Sequence, residues 1–451
     1  MGFRNDFIWG AATAAYQIEG AAAKDGKGLC IWDTFSHKKG KTYQGHTGDI
    51  ACDHYTRYEE DVALMVQMGI KSYRFSINWA RVLPDGIGAS NRKGIKFYNR
   101  LIDKLLENNI RPFITLYHWE LPQTLYEKGG WQNAESPKWF AEYAKLVVEN
   151  FSDRVTDFIT FNEPQCVVGL GHRCGKHAPG LMQENKELLN IGVNILKAHG
   201  LAVKTMREFA KQPLNIGITM ACAPPMPASD SPMDLQVAKL VYDNPLLDRF
   251  EFSDAFWLDP IVLGKFPQSI LDKAAKIMPA YTEDDLKLIN QPIDFIGHNV
   301  YRGEKFKADK DGMPVYIEPV VGNPRTAIGW DITYDAMYWS AKLCCDKYKL
   351  PYYITENGMS AHDVVSLDGE VHDPNRIDYM HRYLLGLKKA NDEGYDIRGY
   401  FAWSLMDNFE WSYGYSERFG MVFVDYQTQK RIMKDSGKWY RTVIESNGEN
   451  L

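Results

Sequence analysis

Eight short runs of β-branched and aromatic residues alternate with longer amphipathic segments along this chain of 451 residues. Each run has the length and bulk of a β-strand, and the segments between the runs have helical spacing. Strands that alternate with helices favour parallel β/α units, and eight such units close a single (β/α)8 TIM barrel of the α/β class. The predicted strands are Phe7–Ala12, Lys71–Ile77, Arg111–Tyr117, Asp157–Phe161, Asn215–Met220, Ile293–Gly297, Tyr352–Thr355 and Arg398–Trp403. Predicted helices include Tyr58–Met68, Gly94–Asn108, Lys138–Asn150, Glu187–Ala210, Asp335–Tyr348 and Ile377–Ala390.

The chain is longer than a bare barrel requires. A barrel of this kind takes about 250 residues, so roughly 200 residues must lie in long loops. The candidate loops are 20–55, 221–290, 302–334 and 404–434. Long βα loops at the carboxyl-terminal face would build a deep pocket there. No linker or low-complexity tract interrupts the sequence, so we predict one domain over residues 1–451. The spacing alone leaves a doubly wound open sheet as the alternative fold.

The composition excludes several kinds of partner. Lys and Arg number 52 against 58 Asp and Glu, a net charge of −6, which argues against a nucleic-acid binder and against a polybasic membrane anchor. No segment reaches about 18 consecutive apolar residues, so no membrane span is predicted. The seven cysteines are odd in number and lack a C-x-x-C pair, which indicates reduced thiols. The segment before Phe7 is too short for a secretory signal, so we expect a cytoplasmic protein. The sequence does not predict the oligomeric state.

Neither a metal nor a cofactor is expected. The histidines and cysteines contain no group at zinc-ligand spacing along the sequence. The glycines of 169–175 follow the spacing G-x-G-x-x-x-G, and Lys176–Gly180 comes next, where a nucleotide-binding loop would open a helix. The sequence therefore points to chemistry performed by side chains on a small-molecule substrate.

Polar and indole side chains lie within or just after the carboxyl-terminal parts of the predicted strands, where functional residues are found in this type of barrel. These residue types suit a sugar, because polar groups bind its hydroxyls and aromatic faces pack against its C–H surface. The set comprises Gln17, Arg74, His118, Asn162, Glu163, Asn299, Tyr301, Glu356, Trp403, Glu410 and Trp411.

Two members of this set, Glu163 and Glu356, each follow an apolar strand, where a carboxylate would be partly desolvated. They come from predicted strands four and seven, so they can face each other across the mouth of a barrel. Glycoside hydrolysis needs such a pair, with one carboxyl as proton donor and the other as nucleophile or water activator. The alternative is that the two glutamates are helix caps or surface acids.

Two short motifs stand out, Thr160–Pro164, which reads TFNEP, and Ile354–Gly358, which reads ITENG. Further distinctive segments are Phe7–Gly20, Tyr73–Ile77, Leu116–Pro122, His177–Gly180 and Trp403–Trp411. In order along nearly the whole chain, these motifs resemble those of glycoside hydrolase family 1, the β-glucosidase family.

The resemblance implies a retaining exo-β-glycosidase. It assigns the general acid/base to Glu163 and the nucleophile to Glu356, with Arg74 and Tyr301 supporting the nucleophile. It implies terminal β-D-glucosides as substrates and leaves β-D-galactosides and β-D-fucosides open. The positions that match substrate-binding residues of the family are Gln17, His118, Asn162, Asn299, Tyr301, Trp330, Trp403, Glu410 and Trp411.

Elementary electrostatics supports the same division of roles. A cationic Arg74 beside Glu356 would favour the anion, whereas burial and the charge of Glu356 would raise the pKa of Glu163 and keep it protonated. We expect the two carboxyl groups to lie about 5–5.5 Å apart, the separation typical of retaining enzymes.

The chain departs from the family pattern mainly on the side expected to bind the leaving group. Gln165 stands where many members carry Trp, and Val300 replaces an aromatic residue. Glu410 stands where six-phospho-glycosidases of the family have Ser, and Glu417 adds negative charge, which favours a neutral sugar. Two alternative functions remain. One is a transglycosylase that uses the same residues, and the other is a non-catalytic sugar-binding relative, which would normally have lost one carboxylate.

Overall fold

Eight parallel strands form a closed barrel in the computed structural model, which describes residues 2–451. The strands follow one another around the ring in chain order, and the first pairs with the last between Ile8 and Gly399. This closure confirms all eight predicted strands and the barrel, and it rules out the open sheet. The strands are β1 (Ile8–Ala12), β2 (Ser72–Ser76), β3 (Arg111–Tyr117), β4 (Asp157–Asn162), β5 (Asn215–Cys222), β6 (Phe295–Val300), β7 (Tyr352–Asn357) and β8 (Ile397–Trp403).

The barrel interior is apolar at one end and polar at the other. Phe113, Phe295, Tyr353 and Phe401, from four strands, pack together with ring centroids 4.9–5.8 Å apart. These aromatic residues lie towards the amino ends of the strands and form an aromatic plug. Towards the carboxyl ends the interior side chains become polar. The plug therefore closes the barrel at the amino ends of the strands, and the polar carboxyl-terminal end can hold a functional site.

Amphipathic helices surround the barrel and bury their apolar faces against its strands, against neighbouring helices or, for Pro232–Asp243, against a small sheet outside the barrel. The longer ones are α1 (His54–Gln67), α2 (Arg92–Glu107), α3 (Ser136–Phe151), α4 (Asn185–Phe209), α5 (Pro232–Asp243), α6 (Glu283–Ile289), α7 (Ala336–Tyr348), α8 (Pro374–Asp392) and α9 (Asp435–Glu445). The predicted helices agree with six of these to within one to four residues at each end. Capping residues set some of these ends, as where the Asn91 side chain accepts the Lys93 amide at the start of α2.

The segments expected to be long loops contain more regular structure than the sequence indicated. Segment 221–290 holds α5, α6 and two short helices, Asp254–Leu258 and Gln268–Ala274. Its helices form because Trp257 and Ile270 are buried in a local core beside the barrel. Small sheets or short helical turns occur in all of these segments and in the shorter connections between the barrel strands and helices. The strands are Pro225–Pro227, Glu304–Ala308 and Pro314–Ile317, with Val422–Val424 and Arg431–Met433, and the turns are Ala15–Ile18, Ile31–Ser36, Tyr43–Gly45, Trp79–Val82, Gln123–Glu127, Gly130–Gln132, Pro164–Cys166, Val167–Arg173, Leu247–Phe252, Asp259–Leu263 and Trp411–Tyr413.

Within residues 2–451, no helix combines the length and the apolarity that crossing a membrane requires. All seven cysteines carry free thiols, and six of the seven are buried.

Candidate active site

Glu356 lies at the end of β7 with both carboxylate oxygens held by donors. Arg74 Nη1 donates to Oε1 at 2.8 Å, and the Tyr301 hydroxyl donates to Oε2 at 2.7 Å. The carboxylate is 4% exposed, and Arg74 is also buried. The guanidinium is fixed from three further directions, by Thr115 Oγ1, the Thr355 carbonyl and Asn162 Oδ1. Glu356 is therefore oriented rigidly next to a full positive charge.

Glu163 follows β4 directly and has the left-handed backbone conformation, with φ of +46°. This conformation is uncommon for a residue with a side chain and is typical of functional positions. Asn299 Nδ2 donates to Glu163 Oε1 at 2.7 Å, and Cys166 Sγ donates to Oε2 at 3.1 Å. Both donors are uncharged. The two buried glutamates thus have different partners, a cation and a hydroxyl for Glu356 and an amide and a thiol for Glu163.

The two carboxyl groups influence each other electrostatically. Burial raises the pKa of Glu163, and the donors Asn299 and Cys166 oppose that rise. Burial also raises the pKa of Glu356, the Arg74 guanidinium lowers it, and the charge of Glu163 raises it further. A buried pair of this kind titrates as a unit. Arg74 and Tyr301 favour the anionic form of Glu356, and the uncharged donors Asn299 and Cys166 favour that of Glu163.

Asn162 connects the two glutamates to a histidine. Its Oδ1 accepts from Arg74 Nη2 at 2.6 Å and from Asn299 Nδ2 at 3.0 Å. Its Nδ2 therefore points to His118 Nε2, 3.0 Å away. Burial and the charge of Arg74 hold the pKa of His118 well below its usual value, so the ring is neutral. Neutral His118 accepts at Nε2 and carries its proton on Nδ1, which has no partner in the protein.

Gln17 and Glu410 form a second polar group at the pocket. Gln17 Nε2 donates to Asn408 Oδ1, to the Phe409 carbonyl and to Glu410 Oε2, at 2.8–3.3 Å. Gln17 Oε1 is buried without a partner. Burial, with the charges of Glu356 and Glu417, raises the pKa of Glu410 to about 8. The pocket therefore collects acidic groups and neutral hydrogen-bonding atoms.

Aromatic rings enclose these polar groups. Trp403 and Trp411 each lie nearly parallel to the His118 ring, with centroids 5.8 and 6.0 Å away. The Trp330 ring packs against the Tyr301 ring, with the two ring centroids 5.1 Å apart. The structure thus gathers into one place the residues that the sequence singled out, joined by hydrogen bonds or ring contacts.

Gln165 differs from what its position in the sequence suggested. We expected it to line the side of the pocket that binds the leaving group. The side chain has no exposed surface, and its amide bonds at both ends to the backbone of Ala221, at 3.2 Å. Gln165 therefore joins the turn after β4 to β5.

Sequence reasoning missed Cys166, Thr115 and Thr355. Cys166 lies three residues after Glu163, and its thiol reaches the carboxylate because the chain turns into the short helix Pro164–Cys166. The left-handed conformation of Glu163 makes this contact possible, and a sequence motif does not report it. The threonines are interior positions of β3 and β7, and strand alternation would have placed them beside Arg74.

One group of side chains within residues 2–451 has the arrangement of metal ligands: Cys222, Asp254 and His298. It lies on the outer face of the barrel wall, away from Glu163 and Glu356.

The family described as "Glycosyl hydrolase family 1" matches residues 1–449. The chain is 47% identical to β-glucosidase A of Thermotoga maritima over 449 residues, covering 99% of this chain and 98% of the relative. It is 40% identical over 470 residues to a bifunctional β-D-glucosidase/β-D-fucosidase of Bifidobacterium breve, covering 98% of each. The structure of the T. maritima β-glucosidase in complex with glucoimidazole superposes with a TM-score of 0.91 at 46% identity, covering 99% of both chains.

Proposed function

The chain belongs to glycosyl hydrolase family 1, and from that membership we propose that it hydrolyses terminal, non-reducing β-D-glucosyl residues with retention of anomeric configuration. The observation that carries the assignment of roles is the unequal surroundings of two buried glutamates. Glu356 is held by a cation and Glu163 is not. Glu356 is the nucleophile, and Glu163 is the general acid and base.

The reaction proceeds in two displacements. Glu163 gives its proton to the glycosidic oxygen while a Glu356 oxygen attacks the anomeric carbon, so the leaving group departs as an alcohol and a glycosyl ester forms. Water then attacks the same carbon, Glu163 takes a proton from it, and the ester bond to Glu356 breaks. Two inversions give net retention, for which the carboxyl groups must lie about 5–5.5 Å apart.

The change of role at Glu163 follows from the charge of its neighbour. In the free enzyme the anionic Glu356 favours the protonated form of Glu163. Glycosylation makes Glu356 neutral, which lowers the pKa of Glu163 and prepares it to act as base. Arg74 and Tyr301 stabilise the Glu356 anion, which attacks in the first displacement and is released in the second.

The polar groups at the pocket bind the sugar hydroxyls. Gln17 Oε1 and His118 Nδ1 are buried atoms without protein partners, one an acceptor and the other a donor. Glu410 adds a second acceptor beside Gln17. Trp403 and Trp411 provide apolar faces for the ring, and Asn162 and Asn299 complete the substrate-binding set. The acidic character given by Glu410 favours a neutral glycone over a phosphorylated one.

We place the leaving group on the side of Trp330, whose ring centroid lies 5.1 Å from that of Tyr301. We further propose a cytoplasmic location, which seven free thiols support, since a reducing compartment keeps cysteines in that form.

The test is turnover of a chromogenic β-glucoside by the wild type and by Glu356→Ala. The wild type releases the chromophore, and the variant does not. Added azide restores release from the variant and gives the α-glucosyl azide, because azide attacks from the face that Glu356 has vacated. Glu127→Ala, which changes an exposed glutamate, is the matched control and keeps full activity. A β-glucosyl azide from Glu356→Ala would mean that Glu163 is the nucleophile and Glu356 the acid and base. A wild type that does not cleave the β-glucoside would overturn the proposed function.

A further inference from the structure

We propose that Cys222, Asp254 and His298 bind a zinc-class divalent cation on the outer face of the barrel wall. Cys222 ends β5, His298 belongs to β6, and Asp254 begins the short helix Asp254–Leu258. Their ligand atoms all lie within 4.8 Å of one another. The site is separate from the catalytic pocket, so it does not depend on the function proposed above.

Strand alternation separates the two sites. Asn299 points into the pocket, where it donates to Glu163. Its neighbour His298 therefore points out of the barrel, towards α7. There His298 Nδ1 lies 2.9 Å from Ser340 Oγ and 3.1 Å from the Tyr352 hydroxyl. Such partners at one ring nitrogen orient the other for a metal.

Two of the three distances within the group suit tetrahedral coordination. Asp254 Oδ2 lies 3.4 Å from His298 Nε2 and 3.7 Å from Cys222 Sγ. Ligands bound to zinc at about 2.0–2.3 Å with tetrahedral angles are separated by roughly 3.3–3.8 Å. Three protein ligands leave a fourth position for water. An ion bound by all three would also bring Cys222 Sγ and His298 Nε2, which lie within 4.8 Å of each other, into this range.

Two atoms of the group lack partners, although they are buried. His298 Nε2 and Asp254 Oδ1 make no hydrogen bond within the protein. Asp254 is 6% exposed, and within residues 2–451 no lysine or arginine forms an ion pair with it. The nearby Lys347 is engaged by Asp259 at 2.8 Å and by Asp243 at 3.1 Å. A buried carboxylate without a countercharge is costly, and a bound cation removes that cost.

The types of ligand select the metal. A thiolate with an imidazole and a carboxylate suits zinc and its cobalt substitute, whereas magnesium and calcium take oxygen ligands. Binding displaces the proton of the Cys222 thiol to solvent and forms a metal–sulfur bond. No redox change is involved. Zinc or cobalt is therefore the appropriate probe.

The experiment is a Co²⁺ titration of chelator-treated full-length protein carrying Cys174→Ser, which removes the exposed thiol. We expect a thiolate-to-cobalt absorption band that saturates at one equivalent and disappears when Zn²⁺ is added. Zn²⁺ alone should raise the melting temperature in a concentration-dependent manner. Absence of the band would overturn the proposal.

Variants assign the band to its ligands. Cys222→Ser should abolish it, and Asp254→Asn and His298→Gln should each weaken binding at least about 10–100-fold, the loss typical of even outer ligand partners. Two matched controls keep the band: Cys345→Ser, at a second buried thiol on α7, and His372→Ala, whose ring bonds to Asp368 and Asp435. Turnover of a β-glucoside by each metal-free variant verifies its folding. A band that persists in folded Cys222→Ser, or that disappears in folded Cys345→Ser, refutes the assignment, and if Cys222→Ser does not fold, Asp254→Asn and His298→Gln decide by the same criterion.

Discussion

Replacing Tyr301 with Phe tests how the protein keeps Glu356 ionised. The Tyr301 hydroxyl donates to Glu356 Oε2 at 2.7 Å, and Phe keeps the ring while removing that single donor. Arg74 and its contact with the other carboxylate oxygen stay in place. The substitution therefore isolates one hydrogen bond to an anion.

The size of the effect follows from the charge on the acceptor. A hydrogen bond to a charged group contributes about 1.5–3 kcal/mol, and one pKa unit corresponds to about 1.36 kcal/mol. The bond lowers the pKa of Glu356. Its loss should raise the pKa by about 1–2 units, since the anion is destabilised and the neutral acid is not.

The assay is the pH dependence of kcat/KM for a chromogenic β-glucoside, whose acidic limb reports the free enzyme's nucleophile. In Tyr301→Phe this limb should move to higher pH by about 1–2 units, and kcat/KM well below the limb should fall by about 10–100-fold. Tyr440→Phe removes a buried hydroxyl that donates to the Gly10 carbonyl, and it should leave the limb in place. An equal loss of kcat/KM at every pH would refute the electrostatic role of Tyr301.

Three further predictions concern other acids. Cys166→Ala should move the basic limb of kcat/KM upward by about half a unit, because the thiol lowers the pKa of Glu163, and Cys166→Ser should not move it. Glu410→Ser should weaken binding of a glucose-like inhibitor by about 10–100-fold in calorimetry, through loss of an acceptor beside Gln17, and unchanged affinity would contradict its place. Burial and the charge of Glu19 raise the pKa of Glu120 from 4.5 to about 8. The folded state therefore binds this proton more tightly than the unfolded state does. The resulting contribution to the free energy of unfolding, roughly 5 kcal/mol, is fully present below pH 4.5 and is lost as the pH rises to 8. In denaturant unfolding, the free energy of unfolding of Glu120→Gln should rise relative to that of the wild type between pH 5 and pH 9. A difference between the two proteins that stays constant with pH would refute this linkage.

The barrel was predictable because each strand is a short apolar run bounded by proline or glycine. Helix ends were less so, because they depend on local contacts. The helix α1 begins at His54 rather than at Tyr58, since buried His54 Nδ1 bonds to Asp61 at 2.7 Å. The helices of 221–290 were missed because their apolar residues pack in a local core with no regular period.

The residues of the site were predictable as a set, because strand ends converge in a closed barrel. Their partners were not. The contact between Cys166 and Glu163 depends on one left-handed residue. The group formed by Cys222, Asp254 and His298 unites residues that are far apart in the sequence, and spacing along the chain does not reveal it.

The aromatic plug closes the inner end of the catalytic pocket, so the pocket opens only at the carboxyl-terminal face of the barrel. Phe113, Phe295, Tyr353 and Phe401 fill the barrel below the glutamates, so nothing can leave through the bottom. Each released monosaccharide must go out by the opening through which the next chain end and the attacking water come in.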